Sequence, residues 1–281
     1  TSSITVLGLL PTCVSVFLFC PRSVTADMYI KQVRRMELLS KRPSTTDKIL
    51  AKRSREKPDE LEFWLSNHRL ALISVVDGSK ILTVITDAAA GDCLIISHKT
   101  NRYAVTQLPL NLNAVFREGV FSRLHRGRPR TTAAPNDLRR TLMGIPCRGY
   151  TISSPRTDGL ATRTVWTTDA LNVSQQDMDS MLAVLRDSGL WRLQDLNLFY
   201  HWYAGVPGFP LQYTEEREMY SVLIDPVVVE KRSFPDDVFL PPEGCRRVDK
   251  LDVDDLFEEL SGWYKKIIDK AKAEDIKQGE W

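Results

Sequence analysis

Between Glu62 and Thr106, five short segments of β-type residues follow one another, and this run constrains the fold more than any other part of the chain. Glu62 to Ser66, Arg69 to Val76, Lys80 to Thr86, Cys93 to His98 and Arg102 to Thr106 are separated by turn signals. Asp77-Gly78, Gly91-Asp92 and Asn101 supply those signals. A spacing of roughly ten residues with punctuation at each end is that of an antiparallel meander. Met28 to Val33 precedes this run as a further strand. Strand-like segments resume at Leu142 to Ile145, Cys147 to Ser153, Leu160 to Thr168, Phe209 to Glu215 and Met219 to Lys231. So many short strands must bury at least one face of a large sheet.

The intervening segments read differently. Ser40 to Asp59 is polar, carries Pro43 and Pro58, and reads as a long flexible loop. Leu108 to Leu124 reads as a helix or a covering segment, and Arg126 to Pro135 as a basic loop. Ser174 and Asp177 form a variant capping box before Met178, Met181, Leu182 and Leu185, which predicts a short amphipathic helix ending near Gly189. Phe234 to Pro242 reads as extended and Pro-rich. In the tail, Val253, Leu256, Phe257, Leu260, Trp263, Tyr264, Ile267 and Ala271 form one apolar stripe. This predicts an acidic amphipathic helix whose stripe packs on the parent domain, on a partner or on a membrane.

The first residues bear on location. Ile4 to Phe19 is an apolar run of roughly 16 residues, short of the about 20 needed to cross a bilayer. Val24-Thr25-Ala26 then offers small residues for cleavage before Asp27. We read residues 1–26 as an export signal, truncated at its start because Thr1 is not preceded by Met. An uncleaved anchor is the alternative. The formal net charge of +2 gives no basic excess of the kind that binding nucleic acid requires. Basic residues concentrate between Lys31 and Lys57 and between Arg117 and Arg140, as solvated loops or as a rim facing anionic headgroups.

No residue pattern announces chemistry. His68, His98, His125 and His201 stand singly, and no CxxC or HExxH spacing occurs, so neither a metal nor another cofactor is expected. Gly205 to Pro210 contains prolines that remove the N–H donors a phosphate loop needs. Asp236-Asp237 and Asp254-Asp255 are adjacent acids that point different ways. The chain is expected not to be an enzyme. Of five cysteines, Cys93, Cys147 and Cys245 lie beyond the signal, and a Cys147–Cys245 bridge is one expectation.

Three stretches carry a resemblance to a known family. The first is Ala26-Asp27-Met28-Tyr29-Ile30-Lys31-Gln32 with Phe63-Trp64-Leu65 and the meander closing on Asn101-Arg102-Tyr103. The second is Met143-Gly144-Ile145-Pro146-Cys147-Arg148-Gly149-Tyr150 with Thr164-Val165-Trp166-Thr167-Thr168. The third is Gly208-Phe209-Pro210-Leu211-Gln212-Tyr213 with Phe234 to Gly244. Together they resemble the outer-membrane lipoprotein-sorting (LolA/LolB-like) superfamily, and more closely its uncharacterised bacterial exported relatives. The long Ser40–Asp59 insertion and the acidic tail depart from that pattern.

The resemblance implies a mainly β fold with some α, an α+β class. It would be a strongly curved antiparallel half-barrel with helices covering its mouth and an extra C-terminal helix. Residues 27–248 would form the half-barrel and 249–281 the tail. Strand alternation nominates Phe63, Leu65, Leu72, Ile81, Val84, Leu94, Ile96, Tyr150 and Trp166 for its concave face. The implied function is that of a periplasmic carrier or sensor of a lipid, an acyl chain or another apolar ligand, touching membranes only peripherally. The alternative is a module with a filled core that docks on an envelope protein.

Overall fold

The computed structural model describes residues 27–41, 43–66, 68–108, 132–153, 162–171, 173, 206–216, 218 and 220–251. Six strands come from the first part of the chain: β1 (Met28–Leu38), β2 (Asp59–Ser66), β3 (Arg69–Val76), β4 (Ser79–Asp87), β5 (Asp92–Ser97) and β6 (Arg102–Gln107). Six more follow: β7 (Thr132–Leu142), β8 (Ile145–Ser153), β9 (Thr162–Thr168), β10 (Phe209–Glu216), β11 (Tyr220–Lys231) and β12 (Arg246–Arg247). All twelve join one sheet in the order β12-β6-β5-β4-β3-β2-β1-β11-β10-β9-β8-β7. Two meanders, β1–β6 and β7–β11, are thus welded along the β1–β11 pair. Every pairing is antiparallel except the short one between β12 and β6.

The sheet is folded sharply about this weld. Phe63 on β2 and Phe209 on β10 meet edge to face, with ring centroids 5.1 Å apart. Two strands lie between them, and three strand spacings would hold such residues about 14 Å apart in a flat sheet. The two meanders are therefore arms that face each other across a concave surface.

The expected fold class needs correction. The sheet is open, with β7 and β12 as its edges, and no helix among the described residues covers a mouth. Pro135 and a register shift blunt β7, while β12 is only two residues long. Edges of this kind resist further pairing, so they need no closure. Among the described residues the sole α-helix is α1 (Thr45–Glu56), inside the segment read above as a loop. The predicted helix ending near Gly189 lies outside the described residues, as do residues 1–26 and 252–281. The expected extra C-terminal helix is accordingly not borne out among the described residues.

Local chemistry explains α1. Ser44 caps Asp47 N–H at 3.1 Å, and the Asp47 carboxylate accepts from Ser44 N–H and Oγ in return. Arg53 and Arg55 in the last turn suit the helix dipole. Among its described side chains the helix buries only Ala51 and Ser54, which do not make an apolar stripe. Beyond Arg34, β2 no longer runs beside β1, and Met36 N–H donates instead to Ser54 Oγ at 2.8 Å. Met143 and Gly144, with φ of 51° and 80°, form the tight turn between β7 and β8. Leu142 to Ile145 is thus a hairpin turn with the strand ends on either side of it.

Cross-strand rows assign the faces. Ile30, Phe63, Leu72, Val84, Ile95 and Ala104 form one continuous row across six strands on the concave side. The facing arm contributes Ile152, Val165, Phe209, Leu211, Tyr213 and Ile224 to the same buried cluster. On the convex side, Ala71, Ile85 and Ile96 form a second cluster with Phe239. There the segment after β11 runs as a strap back over the first meander. Arg232 lies over the rings of Tyr29 and Trp64, Phe234 meets Trp64 edge to face at 4.9 Å, and Arg69 covers Phe239. Val248 N–H then donates to Tyr103 carbonyl at 2.9 Å, and Leu251 enters the concave cluster.

Candidate functional site

The concave face is the candidate site, and the register divides the nine nominated residues. Phe63, Leu65, Leu72 and Val84 lie on it, and Tyr150 joins them by pairing with Val165. Leu94 and Ile96 point the other way, into the cluster under the strap. Ile81 sits at a register shift on β4, outside both rows. Trp166 pairs with Gly149 and packs under the Arg140 guanidinium, 3.9 Å from its ring centroid, although it belongs to the large buried cluster. Burial of the Arg140 side chain lowers its pKa, against the raising effect of Asp225. The nominated set therefore spans both faces of the sheet, because alternation was read strand by strand without the register that aligns them.

Two polar groups sit within the apolar concave face, and sequence reasoning missed both. Arg163 on β9 and Glu215 on β10 are cross-strand partners, each wholly buried, with Nε and Oε2 3.3 Å apart. Tyr213 donates to the same Glu215 oxygen at 2.9 Å. Opposite charges at register-matched positions of strand-like segments were the available signal. Without knowing which strands were neighbours, the pair could not be assembled.

The second group marks a seam. β10 and β11 pair only from Tyr213 to Glu216 on one side and Ile224 to Ser221 on the other. Beyond this, each strand carries a proline at a register shift: Pro210 in β10 and Pro226 in β11. A proline has no N–H for the ladder, so the strands part where these two fall. Glutamines lace the gap. Gln32, wholly buried on β1, donates through Nε2 to the carbonyls of Pro210 at 2.9 Å and Leu211 at 3.0 Å. From the convex side, Gln212 donates to Asp225.

The described residues offer little for covalent chemistry. Among them, no group of three or more His, Cys, Asp or Glu side chains is placed to hold a metal. No described helix is long and apolar enough to cross a membrane. Cys93, Cys147 and Cys245 are all free thiols, so the expected Cys147–Cys245 bridge is absent. Burial pushes the Cys93 pKa up to about 12 and also raises that of Cys147. In native protein near pH 8, a thiol reagent should label Cys245 well before either of the others. Rapid labelling of Cys93 in the folded chain would contradict the packing of β5.

Fold and face together define a class: an open antiparallel sheet folded onto an apolar concave surface. No family model matches the sequence, and no curated protein matches it. Among solved structures, the chain is similar to LprF from Mycobacterium bovis, with 8% sequence identity and a TM-score of 0.25, over 74% of this chain and 88% of that one. A likeness this weak carries no argument about function.

Proposed function

We propose that the protein is an exported, non-enzymatic binding module of the cell envelope, which holds a lipid, acyl chain or similar elongated apolar ligand against its concave face. One observation carries this reading. The row from Ile30 to Ala104 is unbroken by any polar side chain and faces a second apolar arm across the fold. Two apolar arms of one folded sheet present a surface suited to a chain-like molecule, which would bind between them by burial alone. Export is supported by the Ile4–Phe19 run and the small residues before Asp27.

A second reading has its own support. Phe63 and Val84 are 0% exposed, so no gap wide enough for water touches them. A face filled by its own side chains would suit a module that docks on an envelope protein through its outer surface.

One experiment separates the two. Protein recovered from the periplasm, starting at Asp27, is weighed by native mass spectrometry, delipidated, and titrated with fatty acids of increasing length. The binding module retains lipid, and its affinity rises with each methylene, worth about 0.8 kcal/mol before ordering costs. A bare native mass with a flat response to chain length would replace it with the filled-core module. A chain retained intact in the membrane fraction would remove the export signal from the proposal.

A further inference from the structure

The seam between β10 and β11 holds an incomplete hydrogen-bond set. Both hydrogens of the Gln32 amide are committed, one to each carbonyl of Pro210 and Leu211. Those two acceptors fix which end of the amide is nitrogen, because an oxygen there would face two oxygens. Gln32 Oε1 is consequently the opposite atom, buried, and no donor reaches it. Pro210 and Pro226, which border the gap, have no N–H to offer. Gln32 pairs with Leu61 across β1 and β2, so it sits in the lining of the concave cluster. A buried acceptor with no partner is costly, and a bound donor would relieve that cost.

We propose that the seam anchors the polar end of the ligand, with Gln32 Oε1 accepting a hydrogen bond from it. The ligand class is then a neutral apolar chain ending in a hydroxyl or amide N–H. A carboxylate is disfavoured at this atom, because two acceptors would be set against each other. The inference rests on the apolar-ligand reading above, and it adds the chemistry of the ligand's head.

The test uses the same delipidated protein, starting at Asp27, and two probes that differ only in the donor: dodecanol and its methyl ether. Dodecanol should bind about tenfold more tightly, the worth of one buried hydrogen bond. In Gln32→Met, which keeps the volume but loses the acceptor, the two should bind alike while the dependence on chain length persists. The comparison of probes in the parent protein needs no variant, so it stands even if Gln32→Met folds poorly. Equal binding of the two probes by the parent would overturn the anchor and leave the apolar-ligand reading intact, and it is also the result expected if a buried water alone meets Oε1. Binding of neither probe, with no dependence on acyl length, would overturn that reading and the anchor together.

Discussion

Replacing Glu215 by Ala should lower the unfolding free energy by about 3–5 kcal/mol, the largest effect expected from any single polar substitution among the described residues. The cause is the charge left behind. Arg163 and Glu215 are both wholly buried, and Glu215 also accepts from the Tyr213 hydroxyl. Removing the carboxylate takes away an opposite charge that offsets the desolvation of the buried guanidinium. Removing both charges is a different matter. The double variant Arg163→Met, Glu215→Leu should recover most of the loss, since a packed apolar pair is often as stable as a buried ion pair. Urea unfolding of the two single variants and the double gives the coupling energy directly. Additive losses would show that the two side chains do not act as a pair.

The second large effect tests the fold of the sheet. Phe63→Ala should cost about 3–5 kcal/mol, as expected for a phenylalanine truncated in a packed core. Phe63 is 0% exposed and meets Phe209 from the opposite arm. Part of that cost belongs to the contact between arms. The cycle with Phe209→Ala should therefore show a coupling of about 0.5–1.5 kcal/mol, characteristic of an edge-to-face aromatic pair. If the arms lay apart, the two losses would simply add. The same cycle bears on function, since a ligand between the arms must share this contact.

The strands were legible where local patterning was strong. Segments from Glu62 to Thr106 carry alternation and turn chemistry, and they become β2 to β6 with little shift. Asp77-Gly78 turns between β3 and β4 with both residues at positive φ, as that dipeptide suggests. The segment at Ser40–Asp59 misled for an identifiable reason. Among its described side chains helix α1 buries only the small Ala51 and Ser54, so its signal lay in the Ser44–Asp47 cap and not in apolar periodicity. Pro135 misled in a similar way, because a proline is compatible with a strand when that strand is an edge.

The candidate site was legible only in part. Alternation placed Phe63, Leu65, Leu72 and Val84 together, since they share one meander whose register follows from its short turns. It failed for Leu94 and Ile96, which belong to the face under the strap. A slip of one residue exchanges the two faces of a strand, and only the cross-strand register excludes it.

By itself the sequence determined the number and order of most strands, the turns between near neighbours, and an apolar surplus that must be buried. These depend on interactions over a few residues, which a linear pattern records. The tertiary structure alone decided that β1 pairs with β11, nearly 200 residues away, and that the sheet stays open and folds so that Phe63 meets Phe209. It alone brought Arg163 to Glu215 and laid Gln32 across a gap made by two prolines. Such pairings are selected by which surfaces fit once the whole sheet forms, and no local property of either partner names the other.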